Sequence, residues 1–166
     1  AGCTGMVDTM NKAAGVGVVE SRTSSFDDAT TIQVSPSWVY RDTKGMTAPN
    51  DVRLGARWVS SSPNFVALVM QYSSDVGAGS AYLRLTGLEL RLDGEVLTFD
   101  TGRPTDLDSG AYNSIAETIY TESSNFVLLP RTVFEKLLTS SDCRVRIHTG
   151  EGYEDCLLYT SPSPRD

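Results

Sequence analysis

Apolar and polar positions alternate most regularly between Tyr82 and Asp100, and alternation with a period of two marks a β-strand that buries one face. Asp93-Gly94, inside this stretch, supplies the two positive-φ positions of a type I′ turn, so the chain folds back as a hairpin. That turn sets Leu90 opposite Leu97 and Leu88 opposite Phe99 on one face, with Arg91 opposite Val96 and Glu89 opposite Thr98 on the other. Before the turn the apolar parity changes, from Leu83 and Leu85 to Leu88, Leu90 and Leu92. The change falls at Thr86-Gly87 and predicts a bulge there that keeps both leucine sets inward.

The same reasoning assigns strands to much of the rest. Val16–Arg22 and Thr30–Tyr40 have strand composition, and Pro36, which cannot donate to a ladder, makes the second an edge strand or one that breaks there. The polar Ser24–Asp28 between them is a turn, and Arg41–Asp51, with Gly45, Pro49 and Asn50, is a loop. Val52–Ser60 alternates, with Leu54, Ala56 and Trp58 on one side and Arg53 and Arg57 on the other, so one of its faces is wet. After the turn Ser61–Asn64 comes Phe65–Tyr72, an almost unbroken apolar run. A strand covered on both faces reads like that, which predicts the centre of the sheet.

Beyond the hairpin, residues 101–114 read as a loop, Ile115–Thr121 as extended chain and Phe126–Leu129 as a short strand. Pro130 suits the start of a helix, where its missing N–H would be unpaired anyway, and Val133, Phe134, Leu137 and Leu138 recur at helical spacing. Cys143–Thr149 alternates again, placing Cys143, Val145 and Ile147 inward and Arg144, Arg146 and His148 outward. Strand follows strand with one late helix. The expected fold is therefore mostly β, an antiparallel β-sandwich-like or curled sheet with one short amphipathic helix near the C-terminus.

A chain of 166 residues with 40% hydrophobic content can bury a proper core as a single domain. Its net charge of −7 argues against nucleic acid or anionic lipid as the main partner, since both call for a basic surface. No apolar run is long enough to span a bilayer, so membrane attachment requires a covalent anchor or a partner.

Both ends add to this picture. Ala1-Gly2-Cys3 resembles the last residues of a bacterial lipobox, usually Leu-Ala-Gly-Cys, in which small residues let a signal peptidase approach the backbone and the cysteine thiol carries diacylglycerol. The resemblance implies a lipid on Cys3, a polar tether through residue 14, and, from Thr4 in place of Asp, outer-membrane sorting of the enterobacterial type. At the other end, Cys156–Asp166 resembles at every residue the translation of a transposase adapter used to build sequencing libraries, and is set aside from fold and function. That leaves 15–155 as a single β-rich domain truncated at its C-terminal side, and Cys143–Thr149 as a strand expected to lack its partner. Of three cysteines only Cys143 then remains inside the domain, with no disulfide partner.

The Phe-Asp turn, the LGARW strand, the Leu-Thr-Gly-Leu hairpin, the Thr-Ile-Tyr-Thr-Glu-Ser-Ser stretch and Cys-Arg-Val-Arg-Ile-His-Thr, with the Cys3 lipobox, together resemble bacterial lipoproteins of no assigned activity. The likeness extends over most of residues 1–155. It implies an envelope location and a fold class, and no chemistry.

Four motifs bear on chemistry. Asp100-Thr101-Gly102 after an apolar strand is the arrangement by which aspartic proteases let two carboxylates share a proton. Here Arg103 follows where such enzymes carry a small or hydroxyl residue, and the second Asp would have to come from a dimer. Asp106-Leu-Asp108-Ser-Gly110 with Glu117 has the outline of a calcium loop, but Ala111 stands where glycine is needed and flanking helices are absent, so a plain acidic loop is expected. Cys143 and His148, five residues apart on one strand, fall on opposite faces and cannot form a thiol–base pair. One histidine and one thiol do not make a zinc site. Arg144, Arg146 and His148 form a basic stripe in an acidic protein, read either as a solvated strand face or as a surface for an envelope protein partner. No catalytic residue, metal or cofactor is expected. The chain is read as a lipid-anchored, non-catalytic binding or structural component of the bacterial outer membrane facing the periplasm, with an Asp100 protease as the alternative.

Overall fold

The computed structural model describes residues 17–41, 51–76, 82–114, 117–150 and 152–158. Among these residues ten strands are formed: β1 (Val19–Thr23), β2 (Thr30–Arg41), β3 (Asp51–Val59), β4 (Phe65–Val76), β5 (Leu85–Leu92), β6 (Glu95–Asp100), β7 (Asp106–Asn113), β8 (Thr118–Pro130), β9 (Cys143–Thr149) and β10 (Gly152–Leu158). One helix, α1 (Arg131–Thr139), separates β8 from β9. Every strand pairing is antiparallel. A six-stranded sheet in the order β1-β2-β3-β4-β8-β7 curls over a four-stranded sheet in the order β10-β9-β5-β6. The mostly β, antiparallel, curled fold with one late helix is the one the alternation predicts.

The core lies between the sheets. Val52, Leu54, Leu68, Met70, Val127 and Leu129 face it from the larger sheet; Leu88, Leu90, Leu92, Val145 and Ile147 face it from the smaller. The hairpin has the register its turn demands: Leu90 pairs with Leu97, Leu88 with Phe99, Arg91 with Val96 and Glu89 with Thr98. Asp93 and Gly94 have φ of 49° and 94°, as a type I′ turn requires. Asp93 also ties the turn to the connection between α1 and β9, its Oδ1 accepting from the Asp142 and Ser141 amides and the Ser141 hydroxyl. These bonds, the one from Asp142 foremost, hold its carboxyl below the usual carboxylate range. The pairing of β5 with β9 slips between Leu85 and Gly87, the bulge that the change in leucine parity predicts.

Pro36 neither ends β2 nor leaves it at an edge. β2 runs through it between β1 and β3: Ser35 still bonds toward the β1 side, and the proline's missing donor falls on the β3 side, within the register shift between Val34 and Ser37. Gly55 makes the shift possible. A Cβ there would stand 2.7 Å from the Val34 carbonyl oxygen and 3.0 Å from the Pro36 ring. Gly55→Ala is expected to cost about 1–3 kcal/mol, read as a lowered denaturation midpoint with unchanged slope.

Several expectations need correction. β4 is the central strand between β3 and β8, but it buries one face only: Val66, Leu68 and Met70 are inside, while Ala67 and Val69 are half-covered and Phe65 is exposed. The expected loop 101–114 contains β7. Ile115–Thr121 and Phe126–Leu129 belong to a single strand, so far as they are described, because β8 is continuous from Thr118 to Pro130. Its inward positions are Thr121, Ser123, Asn125, Val127 and Leu129, all buried; the period of two is intact, but three of the five residues are polar. Each of the three finds a partner outside its own strand: Thr121 Oγ1 donates to the carbonyl of Ser74, its neighbour on β4, Ser123 Oγ accepts from the Leu83 amide, and Asn125 Nδ2 donates to the Leu85 carbonyl.

In α1, Leu137 is buried and Val133 and Phe134 pack on the core, but Leu138 is 66% exposed, and Pro130 caps the helix from just outside its first turn. Finally, β9 does not lack a partner. β10 pairs with it through residues 152–158, three of them within the stretch set aside as adapter-like. Backbone hydrogen bonds to an open edge are indifferent to side-chain identity, so a chain leaving the turn after Thr149 can pair whatever its sequence. The loop 42–50, the connection 77–81, the Cys3 lipobox and 159–166 lie outside the described residues.

Candidate functional site

The expected basic stripe lies on the outer face of the smaller sheet, where alternation along β9 turns Arg144, Arg146 and His148 away from Cys143, Val145 and Ile147. It is not purely basic. Glu89, opposite Arg146 on β5, stands 3.6 Å from Arg146 Nη1 and 3.0 Å from His148 Nε2. The histidine contact has ion-pair distance without hydrogen-bond alignment. Arg144 pairs with Asp142 at 3.4 Å. Arg91, opposite Arg144, is exposed and has no ion-pair partner among the described residues. Among the described side chains the face is therefore a mixed patch of cations and carboxylates.

Cys143 is 3% exposed and faces the core. Burial, with the nearby Asp142 and Asp93 charges adding, pushes its thiol up to about 11, so it is protonated at neutral pH and unsuited to nucleophilic attack. It shares no face with His148, as the spacing requires.

Asp100 ends β6, an edge strand, and is exposed. The residue after it turns back onto the β5 bulge, the Thr101 amide and hydroxyl both donating to the Thr86 carbonyl. Asp106 and Asp108, expected in an acidic loop, are in β7, and Asp106 is ion-paired with Arg103. Among the described residues no three His, Cys, Asp or Glu side chains come together in a way that would hold a metal ion.

A cleft of about 690 Å³ opens beside the Asp-Thr-Gly turn, between the approach to β5 and the segment joining β6 to β7. Tyr82, Arg84, Arg103, Pro104 and Leu107 line it. Its walls are tied down from within. Thr105 Oγ1 accepts from the Leu85 amide and donates to the Leu85 carbonyl. Buried Asn125 donates to the carbonyls of both Leu85 and Arg103, one on each wall. The Gly150 amide donates to the Arg84 carbonyl. Arg103 pairs with Asp106 and lies 5.3 Å from the centroid of the Phe126 ring. Sequence reasoning passed over this cleft. Arg84 has the outward parity between Leu83 and Leu85, but only the clamping by Asn125, forty residues on, places it beside Arg103.

A second, apolar groove of about 410 Å³ lies where the core face of the larger sheet runs out from under α1, lined by Ile32, Trp58, Val66, Phe134 and Leu138 among others. Trp58 Nε1 donates to the Pro63 carbonyl, which leaves the ring's apolar body toward the groove. Compared with family models, curated proteins and solved structures, the chain matches none.

Proposed function

We propose that this protein is a lipid-anchored component of the bacterial envelope, attached through Cys3 to the outer membrane with its domain facing the periplasm, and that it works by binding a protein partner. The observation that carries the binding half is the outer face of the smaller sheet, where Arg91, Arg144, Arg146 and His148 gather around Glu89 on a rigid, hydrogen-bonded surface. In a protein of net charge −7 a face that gathers several arginines steers an acidic partner surface to one side of the molecule. The distribution of reactive groups supports binding over catalysis. The thiol of Cys143 is sealed in the core, His148 is on the opposite face of the same strand, and Asp100 stands exposed on a sheet edge, so these three groups do not assemble into nucleophile, base and orienting group.

Reversing Arg144 and Arg146 to Glu is the test. Recovery of the partner that co-purifies with the native protein is expected to fall about tenfold, with β9 still folded because both side chains point outward. Asp100→Asn is expected to leave that recovery unchanged and to remove no peptidase activity at acid pH. Undiminished recovery by the reversed form would eliminate the basic face, and acid peptide cleavage that disappears in Asp100→Asn would replace the reading with the dimeric protease.

A further inference from the structure

We infer that the cleft between the approach to β5 and the β6–β7 segment is a binding site for a small organic oxyanion, a carboxylate or phosphate carried on a ring or short apolar body. Among the described residues two guanidinium groups, Arg84 and Arg103, line it, and no carboxylate does. Most cations of the described chain are committed: Arg22, Arg103, Arg131, Lys136, Arg144 and Arg146 each stand beside a carboxylate. The Arg84 guanidinium has no hydrogen-bond or ion-pair partner among the described residues and opens into a concavity. Its planar fork of donors matches the paired oxygens of a carboxylate or phosphate. Arg103 spends one donor direction on Asp106 while Phe126 supports its plane, leaving its remaining N–H groups for a ligand.

The rest of the lining sets the ligand's body. Tyr82, Pro104 and Leu107 offer apolar surface beside the cations, and the Tyr82 hydroxyl is without a partner among the described residues. The volume of about 690 Å³ is of the size that takes small molecules rather than bare ions. The walls are fixed before any ligand arrives. Asn125 joins them through the Leu85 and Arg103 carbonyls, and Thr105 and Thr101 fasten the segment to β5, so little ordering is left to oppose binding. This site is separate from the face of β9, and its test does not depend on the protein partner.

The experiment is an amide NMR titration of the whole chain with phenyl phosphate, with benzoate, and with benzyl alcohol as the neutral analogue. Saturable shifts of the amides in 82–86 and 101–105 are expected with at least one of the two anions and not with benzyl alcohol; the anion that binds more tightly identifies the head group. Arg84→Gln, which keeps the stem beside Gly150 and breaks no hydrogen bond or ion pair among the described residues, is expected to weaken that binding roughly tenfold while leaving the amide spectrum of β5 and β9 in place. No saturable shift with either anion, shifts as large with benzyl alcohol, or the same affinity in Arg84→Gln would each overturn the proposal.

Discussion

Truncating Leu90 to alanine is expected to destabilise the protein by about 3 kcal/mol. Leu90 is fully buried and sits opposite Leu97 on one side and Val145 on the other, at the middle of the smaller sheet's inner face. Both neighbours are fixed by ladders, so the surroundings cannot collapse into the space the missing carbons leave, and the loss of transfer energy is joined by the cost of a cavity. Val96→Ala provides the contrast. Val96 lies on the same hairpin but turns outward and is 58% exposed, so its truncation should change stability by less than about 0.5 kcal/mol. Urea denaturation of the three proteins measures both, and a Leu90→Ala midpoint equal to that of Val96→Ala would show that the two leucine sets do not face a common core.

The other large effect is on location. On the proposed lipid anchor, the protein expressed behind a lipoprotein signal peptide is expected to fractionate with outer membranes, and Cys3→Ser to be released almost completely. Each buried methylene of an acyl chain contributes about 0.8 kcal/mol, and a single chain holds only marginally whereas several hold firmly, so removing the acceptor thiol removes the whole attachment rather than part of it. Among the described residues no helix is long and apolar enough to substitute for it. The check is a mass measurement on Cys3 with fractionation of both forms. Equal membrane recovery would mean that something other than Cys3 holds the protein there.

The hairpin was legible residue by residue because two independent signals coincide in it: the Asp-Gly turn sets the register and the leucines set the face. Legibility failed where polar residues were used inside. Thr121, Ser123 and Asn125 occupy inward positions of β8, so a count of apolar residues splits that strand in two although its period of two is intact; β7 escaped notice because its described side chains are all exposed and show no alternation. Their partners, Ser74, Leu83 and Leu85, are supplied by distant parts of the chain, and no local pattern announces them. The basic stripe was visible on β9 because alternation exposes it, but Glu89 was not, since it joins the stripe only when β5 lies alongside. The cleft was invisible for the same reason. Arg84 and Arg103 face one cleft because Asn125, Thr101 and Thr105 tie its two walls together, and nothing in the spacing of either arginine foretells that.

The pairing of β4 with β8 has a consequence for how the chain is made. The two strands match from Phe65 with Pro130 to Val76 with Ile119, so joining them encloses the whole β5–β6 hairpin and β7 in one loop. Contacts that close so much chain form late and put folding on the order of milliseconds to seconds. During synthesis β1 to β4 emerge long before β8 does. The strand that is the centre of the finished sheet is until then its edge, presenting the apolar run Phe65–Tyr72 with one row of backbone groups unpaired. A nascent chain in that state is a substrate for holding chaperones and a template for the same strand in a neighbouring copy, and it remains so until Pro130 has left the ribosome.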